Sequence, residues 1–256
     1  MADLPPIRLA AAADGPMAQG KVRLPLGEDR LEVEVVEPSG PTSLEALLPV
    51  FQGLANAMTD IGVRRAEAAG ERVSCRAGCG ACCRQAVPIS EPEARALARL
   101  VEALPEPRRG ELRARFEAAL TELAAAGLLE RLEALDLGDA DDVTAFGTAY
   151  LRARVPCPFL EAESCSIHPE RPLACREYLV TSDPAQCAFP ARDRVKGVEL
   201  PGQASRALQH IGRAATPTGR MLLVQALDWA RDAPEPPPDR PGPELVQAVF
   251  ADLVRG

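Results

Sequence analysis

The sequence predicts a mainly α protein, an irregular helical domain with cysteine-rich loops and a short N-terminal β-hairpin. Three observations predict this class. Apolar residues recur at helical spacing in several segments. Aromatic residues make up only 4% of the chain, so the core is expected to consist mainly of Leu, Ala and Val, a composition that favours helix. The alternation of apolar residues that is typical of a strand occurs only near the N-terminus.

The predicted hairpin occupies residues 21–36. Alternating apolar residues flank the turn Gly27-Glu-Asp-Arg30, as expected for two antiparallel strands. Pro25 confines its strand to the edge of a sheet, because proline has no backbone N–H to donate. Residues 1–20 are rich in Ala, Pro and Gly, and we expect them to be a flexible N-terminus.

Two capping-box patterns predict where helices begin. Thr42-Ser-Leu-Glu45 would begin the first helix, although Pro49 would kink that helix or delay its start. Ser90-Glu-Pro-Glu93 would begin another, which should stop at Pro105. Asp141 and Asp142 can cap a shorter helix. Apolar periodicity predicts helical segments at 112–123, 128–135 with a break at Gly127, 143–151, 204–214, 218–232 and 245–253.

These elements suggest a division of the chain into four parts. They are the flexible residues 1–20, the hairpin and first helix at 21–70, a cysteine-cluster metal-binding domain at 71–200, and C-terminal helices at 201–256 that pack on it. Between residues 156 and 190 no helical or strand period is visible, and prolines, cysteines and turn residues dominate. We therefore expect long irregular loops in that segment, which need an internal tie.

The charge of the chain bears on its partners and location. A formal net charge of −8 argues against a nucleic-acid partner, which requires clustered positive charge. No stretch approaches the length of a membrane helix, and Asp3, Pro5, Pro6 and Asp14 interrupt any secretory signal at the start. We expect a cytoplasmic protein with neither nucleic acid nor membrane as partner, and a protein partner or protein substrate stays open.

The chain has eight cysteines in two groups, which are the candidate metal ligands. The first group is compact and the second is spread over 31 residues; they are Cys75, Cys79, Cys82 and Cys83, then Cys157, Cys165, Cys175 and Cys187. In the cytoplasm thiols stay reduced, so such clustering indicates metal binding before disulfides. Gly78 and Gly80 disfavour a regular helix across the first group and allow a close, irregular backbone. Cys82 and Cys83 are adjacent and cannot easily both point at one tetrahedral ion.

Other polar residues near the cysteines have ordinary interpretations as well. Arg76, Arg84 and Arg176 flank the thiols and could offset the negative charge of a thiolate site. Four residues could orient a substrate: Arg171, Arg176, Glu177 and Tyr178. For the two arginines and the glutamate, an ion pair that stabilises the loop is the more ordinary role. His168 is predicted to bond locally within its loop, and His210 is interpreted as incidental.

The order of the cysteine motifs resembles one known family. Cys-x3-Cys-x2-Cys-Cys is followed by Cys157-Pro-Phe-Leu, Cys165-x-Ile, Arg171-Pro-x-x-Cys-Arg-x-Tyr and Cys187. This pattern looks like the CxxxCxxCC (YkgJ-type) family of zinc- or iron-chelating proteins, and it covers residues 75–187. The resemblance implies a bound metal, either zinc or an iron–sulfur cluster. His168 departs from the family, in which an aromatic residue is expected, and it adds a potential nitrogen ligand.

The cysteine pattern is also similar to that of the flagellin lysine methylases, where the resemblance implies an iron–sulfur cluster involved in methyl transfer. Thiolates suit both zinc and iron–sulfur clusters. The triplet Cys75, Cys79 and Cys82 resembles the spacing by which radical-SAM enzymes hold a [4Fe–4S] cluster, although the β-α repeats of those enzymes are missing here. We therefore favour an iron–sulfur cluster, [4Fe–4S] rather than another type, over zinc. An iron–sulfur-dependent methyltransferase-like enzyme and a metal-sequestering or delivery protein are the alternative functions.

Overall fold

The computed structural model of the chain describes residues 2–11, 14–27, 29–189, 194–213, 216 and 221–255. It is a mixed α/β structure, 51% helical and 16% strand. The prediction of a mainly α fold with only a hairpin is therefore wrong. The reason is an additional N-terminal strand, which turns the hairpin into a three-stranded sheet, together with short strand pairs elsewhere in the chain.

The three-stranded sheet has the order β1-β3-β2. Strands β2 (Met17–Leu26) and β3 (Asp29–Pro38) form the predicted hairpin, and Pro25 lies on an edge strand as expected. Strand β1 (Ala2–Ala10) pairs with β3 in parallel. It occupies much of the segment predicted to be flexible. Its register shifts between Leu4 and Ile7, and the two prolines that lie between them fit there because bulges and edges tolerate proline.

Nine α-helices follow in the described part of the chain. Their bounds are α1 Leu48–Ala68, α2 Glu91–Glu102, α3 Arg108–Ala125, α4 Leu128–Ala134, α5 Ala140–Ala153, α6 Leu173–Glu177, α7 Ala204–Ile211, α8 Ala226–Arg231 and α9 Gly242–Arg255. Short strands complete the structure: β4 (Pro41–Thr42) pairs with β7 (Arg240–Pro241), and β5 (Leu160–Glu161) pairs with β6 (Ser164–Cys165).

The first part of the core lies between the sheet and helices α1, α7 and α9. Leu31, Val33 and Val35 project from one face of β3 and are almost completely buried. They share an apolar cluster with Phe51 from α1 and with the apolar face of α9, which includes Val249. The N-terminal strands and the C-terminal helix therefore stabilise the same core, since burial of apolar surface is the main stabilising term in folding.

Two further apolar clusters hold the middle of the chain. One joins α2 and α3 to residues of the cysteine-bearing loops, including Phe159 and Ile167. Phe116 of α3 meets Phe159 edge to face, with ring centroids 5.3 Å apart. The other cluster joins α3, α4 and α5. The irregular segment after α5 is thus anchored on apolar side chains at more than one point.

Local signals predicted some helix ends correctly and others wrongly. The capping box at Ser90 is present in full, and Gly127, with φ +67°, separates α3 from α4 as expected. The capping box at Thr42 is not used: α1 begins six residues later, at Leu48, with Pro49 in its first turn. Asp139, rather than Asp141 or Asp142, caps α5.

The ends of two C-terminal helices differ from the predictions. The helix predicted at 204–214 ends at Ile211 in α7, and the prediction for Ala214 lies outside the described residues. The longer helix predicted at 218–232 is reduced to a 3₁₀ turn, Leu223–Gln225, followed by α8; residues 218–220 also lie outside the described part. The division of the chain into four parts stays a prediction.

A buried carboxyl joins α2 to α6, the helix that carries Cys175. Glu93 accepts hydrogen bonds from the N–H and Oγ of Ser90, at 2.8 and 2.7 Å, through one oxygen. Its other oxygen accepts the N–H of Leu173, at 2.8 Å. That N–H belongs to the first turn of α6 and has no partner within the helix. One side chain thus completes the hydrogen bonding of two helix starts.

Replacing Glu93 with alanine should destabilise the protein. Glu93→Ala leaves the Ser90 and Leu173 N–H groups buried without an acceptor, and we expect the free energy of unfolding to fall by about 2–4 kcal/mol. Urea denaturation measures this change. Glu122→Ala removes an exposed carboxyl from α3 and should change stability by less than about 0.5 kcal/mol. Equal effects from the two variants would contradict the role of Glu93.

Candidate metal centre

The two cysteine groups are joined directly through the backbone. The first group ends in a 3₁₀ turn, Ala81–Arg84, and the carbonyl of Cys83 accepts the N–H of Cys157 at 2.7 Å. Leu160 donates its N–H in turn to the carbonyl of Cys157, at 2.9 Å. Residues separated by more than 70 positions in the sequence therefore meet at one short hydrogen bond, at the beginning of the second group.

The remaining loops are attached to the first group by hydrogen bonds. Ser74, which precedes Cys75, donates its N–H and Oγ to the carbonyl of Val180, at 3.0 and 3.2 Å. Gln85, which follows the first group, donates its Nε2 to the hydroxyl of Tyr178 at 3.2 Å and to the carbonyl of Cys187 at 3.4 Å. The segment 74–85 is thus held at both ends by the loop that follows α6.

Strands β5 and β6 form a tight hairpin that packs against the first group. The two residues of its turn, Ala162 and Glu163, have φ of +45° and +57°, as a type I′ turn requires. A Cβ atom at Gly80 would lie 2.6 Å from Cδ1 of Leu160 and 3.1 Å from Cα of Glu163. Glycine at position 80 therefore allows the two cysteine groups to approach closely.

All eight cysteines are free thiols. Cys187 is buried, and the other seven are half-buried. Cys82 lies at the centre of the group: its hydrogen bond with the adjacent Cys83 and its burial raise the pKa of its thiol far above the ordinary value. The negative charge of a Cys82 thiolate also contributes to a raised pKa at five other thiols, those of Cys75, Cys157, Cys165, Cys175 and Cys187.

Burial is the main cause of the raised thiol pKa values in the second group. It raises the pKa of Cys157 to about 12 and that of Cys175 well above its ordinary value. The thiolates of Cys157 and Cys165 add to the rise at Cys175. Burial also raises the pKa of Cys187, with the charges of Cys75, Cys82 and Cys79 as additional causes. The thiols of both groups are therefore close enough to interact electrostatically.

Arg171 is a cation that acts on thiols of both groups. Its guanidinium holds down the pKa of Cys75, Cys82 and Cys165, against the larger effect of burial. One nitrogen of the guanidinium lies 2.8 Å from Nε2 of His168. Its Nε atom is buried and has no hydrogen-bond partner among the described residues. Arg171 thus combines a positive charge that acts on both cysteine groups with a buried donor that is free among the described residues.

Two of the arginines that the sequence suggested for charge compensation form hydrogen bonds elsewhere and also interact with a neighbouring cysteine. Arg84 forms two hydrogen bonds to Glu163, at 2.7 and 3.1 Å, and the charge of a Cys83 thiolate contributes to its raised pKa. Arg176 is buried and donates to the carbonyls of Arg171 and Pro169; burial lowers its pKa, and the charge of a Cys175 thiolate opposes that change. The sequence named Arg171 as a candidate for orienting a substrate or for an ion pair that stabilises the loop, and not for charge compensation. Its action on thiols so far apart along the chain could not be seen in the local pattern.

The remaining polar candidates make local contacts. His168 lies at the start of a 3₁₀ turn, His168–Glu170, where its contact with Arg171 agrees with the prediction of local bonding. Glu177 does not pair with an arginine: it accepts the N–H and Oγ of Ser205 in α7, and burial raises its pKa to about 7. The Tyr178 hydroxyl donates to the Cys187 thiol.

The donor set suits a thiophilic metal, because all eight cysteines are free thiols and thiols of the two groups act on one another's pKa. Among the described residues, no three Cys, His, Asp or Glu side chains are arranged as a site for a single metal ion. In the same part of the chain, no helix combines the length and hydrophobicity that a membrane crossing requires.

Comparison with known proteins identifies the cysteine-bearing segment. Residues 74–194 match the family model described as "CxxCxxCC: Putative zinc- or iron-chelating domain". The match covers just under half of the chain and includes all eight cysteines. It confirms the family resemblance predicted from the motifs and supports metal binding as the general function of this segment. No curated protein and no solved structure gives a significant match.

The close approach at Gly80 can be tested by adding one methyl group. Gly80→Ala should push the β5–β6 hairpin away from the first cysteine group and lower the free energy of unfolding by about 1–3 kcal/mol. Gly147, in α5, has no atom within 4 Å of its ideal Cβ position, so Gly147→Ala should stabilise the protein by about 0.5–1 kcal/mol. Thermal and urea denaturation of both variants measure the contrast. An equal gain in stability from both would show that position 80 is not tightly packed.

Proposed function

We propose, from the membership of residues 74–194 in this zinc- or iron-chelating family, that the protein holds an iron–sulfur cluster or zinc through its eight cysteines. The observation that carries the proposal is the contact between the two cysteine groups, in which the N–H of Cys157 donates to the carbonyl of Cys83 at 2.7 Å. None of the eight cysteines is used in a disulfide. A shared inorganic centre would stabilise loops that lack regular secondary structure.

The number and placement of the thiols favour iron–sulfur over a single zinc ion. A structural zinc ion takes four ligands in a tetrahedron, whereas eight thiols are available here. Cys82 and Cys83 are adjacent and in contact, so their sulfurs are better suited to different metal atoms than to one. A [4Fe–4S] cluster, held by cysteine thiolates, spreads its ligands over several iron atoms. When bound, such a cluster supplies electron-transfer chemistry.

Arg171 supports the proposal through charge and hydrogen bonding. A centre ligated only by thiolates is negatively charged overall, and the guanidinium of Arg171 would offset part of that charge. Its buried Nε–H, which has no partner among the described residues, suits a sulfur acceptor at the edge of the centre. Groups that hydrogen-bond to metal ligands commonly tune the affinity for the metal. Arg171 would therefore act as a positioning residue rather than as a ligand.

We further propose a cytoplasmic protein without nucleic-acid or membrane partners, on the basis of its net charge of −8. A protein partner or protein substrate is the remaining class of macromolecule. Metal delivery is the second candidate function, because Cys79 lines an open groove, where a competing ligand can reach it. The methyltransferase-like alternative stays a prediction of the sequence.

The metal content of the purified protein tests the main proposal. Protein purified without oxygen should contain iron with acid-labile sulfide, or zinc, and Cys82→Ser and Cys175→Ser should each reduce the bound metal by more than about half. Ser164→Ala, beside Cys165 in β6 but exposed, is the control and should retain the parent's metal content. Inductively coupled plasma mass spectrometry and sulfide analysis give these values. A parent protein free of iron and zinc would contradict the proposal.

The same preparations separate a fixed centre from metal delivery. If the protein delivers metal, a strong chelator should remove the metal rapidly from the folded protein. A fixed centre should lose its metal only as the protein unfolds. Release kinetics compared with circular dichroism distinguish the two functions.

Arg171 should affect metal retention without supplying a ligand. Arg171→Gln removes the positive charge and should weaken metal affinity about 10–100-fold, and Arg171→Lys should restore part of the loss. Arg72→Gln, an exposed site in the segment that precedes the first cysteine group, is the control for loss of charge alone. Competition with a chromophoric chelator measures the affinities. Unchanged affinity in Arg171→Gln would show that the guanidinium does not support the centre.

A further inference from the structure

An open groove of about 690 Å³ lies beside the cysteine group. Its lining includes Arg76 and the thiol-bearing Cys79, and residues from three other parts of the chain, among them Arg154, Glu163 and Asp183. Small residues, glycine and alanine, provide much of the remaining wall. The groove is therefore accessible to a small molecule, and one of the candidate metal ligands lies on its surface.

Among the described residues, some charged side chains of the groove have hydrogen-bond or ion-pair partners and others have none. Arg84 is paired with Glu163, and the carboxylate of Asp183 accepts the N–H of Ala185 at 2.9 Å. Arg76 and Arg154 are exposed, and neither guanidinium has a hydrogen bond or ion pair within the described residues. Two guanidiniums are thus free to bind an anion at the same groove, on a chain whose net charge is negative.

The backbone at Arg154 is unusual for a residue with a long side chain. Arg154 ends α5 in the left-handed conformation, with φ +57°, a position where glycine or asparagine is preferred. Among the described residues, the other non-glycine positions with positive φ are Ala162 and Glu163, which the type I′ turn explains. A hairpin turn of that type does not explain the positive φ of Arg154. Strained backbone of this sort concentrates at functional sites.

We propose that this groove binds a small dicarboxylate, with one carboxylate on Arg76 and the other on Arg154, next to the Cys79 thiol. A guanidinium presents a planar fork of N–H donors that matches a carboxylate in a bidentate pair. The carboxylates of Glu163 and Asp183 also line the groove. A ligand whose two negative charges are far apart therefore fits better than a compact anion with several negative charges. The proposal does not rest on the proposed metal centre, since neither arginine is a candidate metal ligand.

Calorimetric titration of the full-length, reduced, metal-free protein tests the proposal. The probes are malonate, succinate, glutarate and adipate, with inorganic phosphate for comparison, at low ionic strength. We expect one chain length to bind best, and its affinity to fall at least about fivefold in Arg76→Gln and in Arg154→Gln. Arg72→Gln and Arg152→Gln remove exposed arginines outside the groove and should bind the probe as the parent does.

A second variant guards against misfolding as the cause of lost binding. Arg154→Gly relieves the left-handed strain at this position, so its melting temperature should equal or exceed that of the parent. It also removes the guanidinium, so the dicarboxylate affinity should fall as in Arg154→Gln. Binding that survives in Arg154→Gly would overturn the proposal, because the protein would be folded and the proposed contact absent.

Thiol labelling places the ligand in the groove. The best dicarboxylate should slow the alkylation of Cys79 by iodoacetamide and leave the rate at Cys165, outside the groove, unchanged; peptide mass spectrometry follows each site. The proposal is overturned by any of three results: no dicarboxylate binds, phosphate binds more tightly than every dicarboxylate, or all four arginine-to-glutamine variants lose affinity equally.

Discussion

The contact between the two cysteine groups is the constraint on which the rest of this structure depends. It consists of the hydrogen bond from the N–H of Cys157 to the carbonyl of Cys83, and of the β5–β6 hairpin packed against Gly80. Because of it, thiols from distant parts of the chain act on one another's pKa. Without this contact the second group would be an irregular loop with little to fix it.

The surrounding fold holds this contact from several directions. Phe159, next to the second group, is buried against Phe116 of α3, and Glu93 fixes the start of α6 beside Cys175. Arg176 donates hydrogen bonds to loop carbonyls, and Glu177 accepts hydrogen bonds from Ser205. Glu93, Arg176 and Glu177 each satisfy a buried polar group that would otherwise cost free energy, and together with Phe159 they set the positions of the loops that carry thiols.

What the sequence could predict was mainly local. The capping box at Ser90, the break at Gly127 and the β2–β3 hairpin depend on neighbouring residues, and they are present. Strand β1 was missed because its alanines and prolines resemble a flexible tail, and only pairing with β3, some 27 residues away, makes it a strand. The box at Thr42 was overruled by Pro49, which fits only in the first turn of a helix.

In the candidate site, too, the local features could be predicted from the sequence, and the features that depend on distances in space could not. The cysteines could be selected from spacing and family resemblance, because thiols have few ordinary roles in such clusters. The arginines could not be ranked, because charge compensation depends on distances in space. Arg84 and Arg176 lie next to cysteines in sequence, but their hydrogen bonds go to Glu163 and to loop carbonyls. Arg171, four residues before Cys175, lowers the pKa of thiols in both cysteine groups.

X-ray absorption at the metal edge of the loaded protein tests most directly whether these thiols share an inorganic centre. The account predicts a first shell made of sulfur, at about 2.3 Å, with a short metal–metal distance in addition if the centre is an iron–sulfur cluster. A first shell dominated by oxygen or nitrogen would contradict the account, since the metal would then be bound elsewhere on the protein.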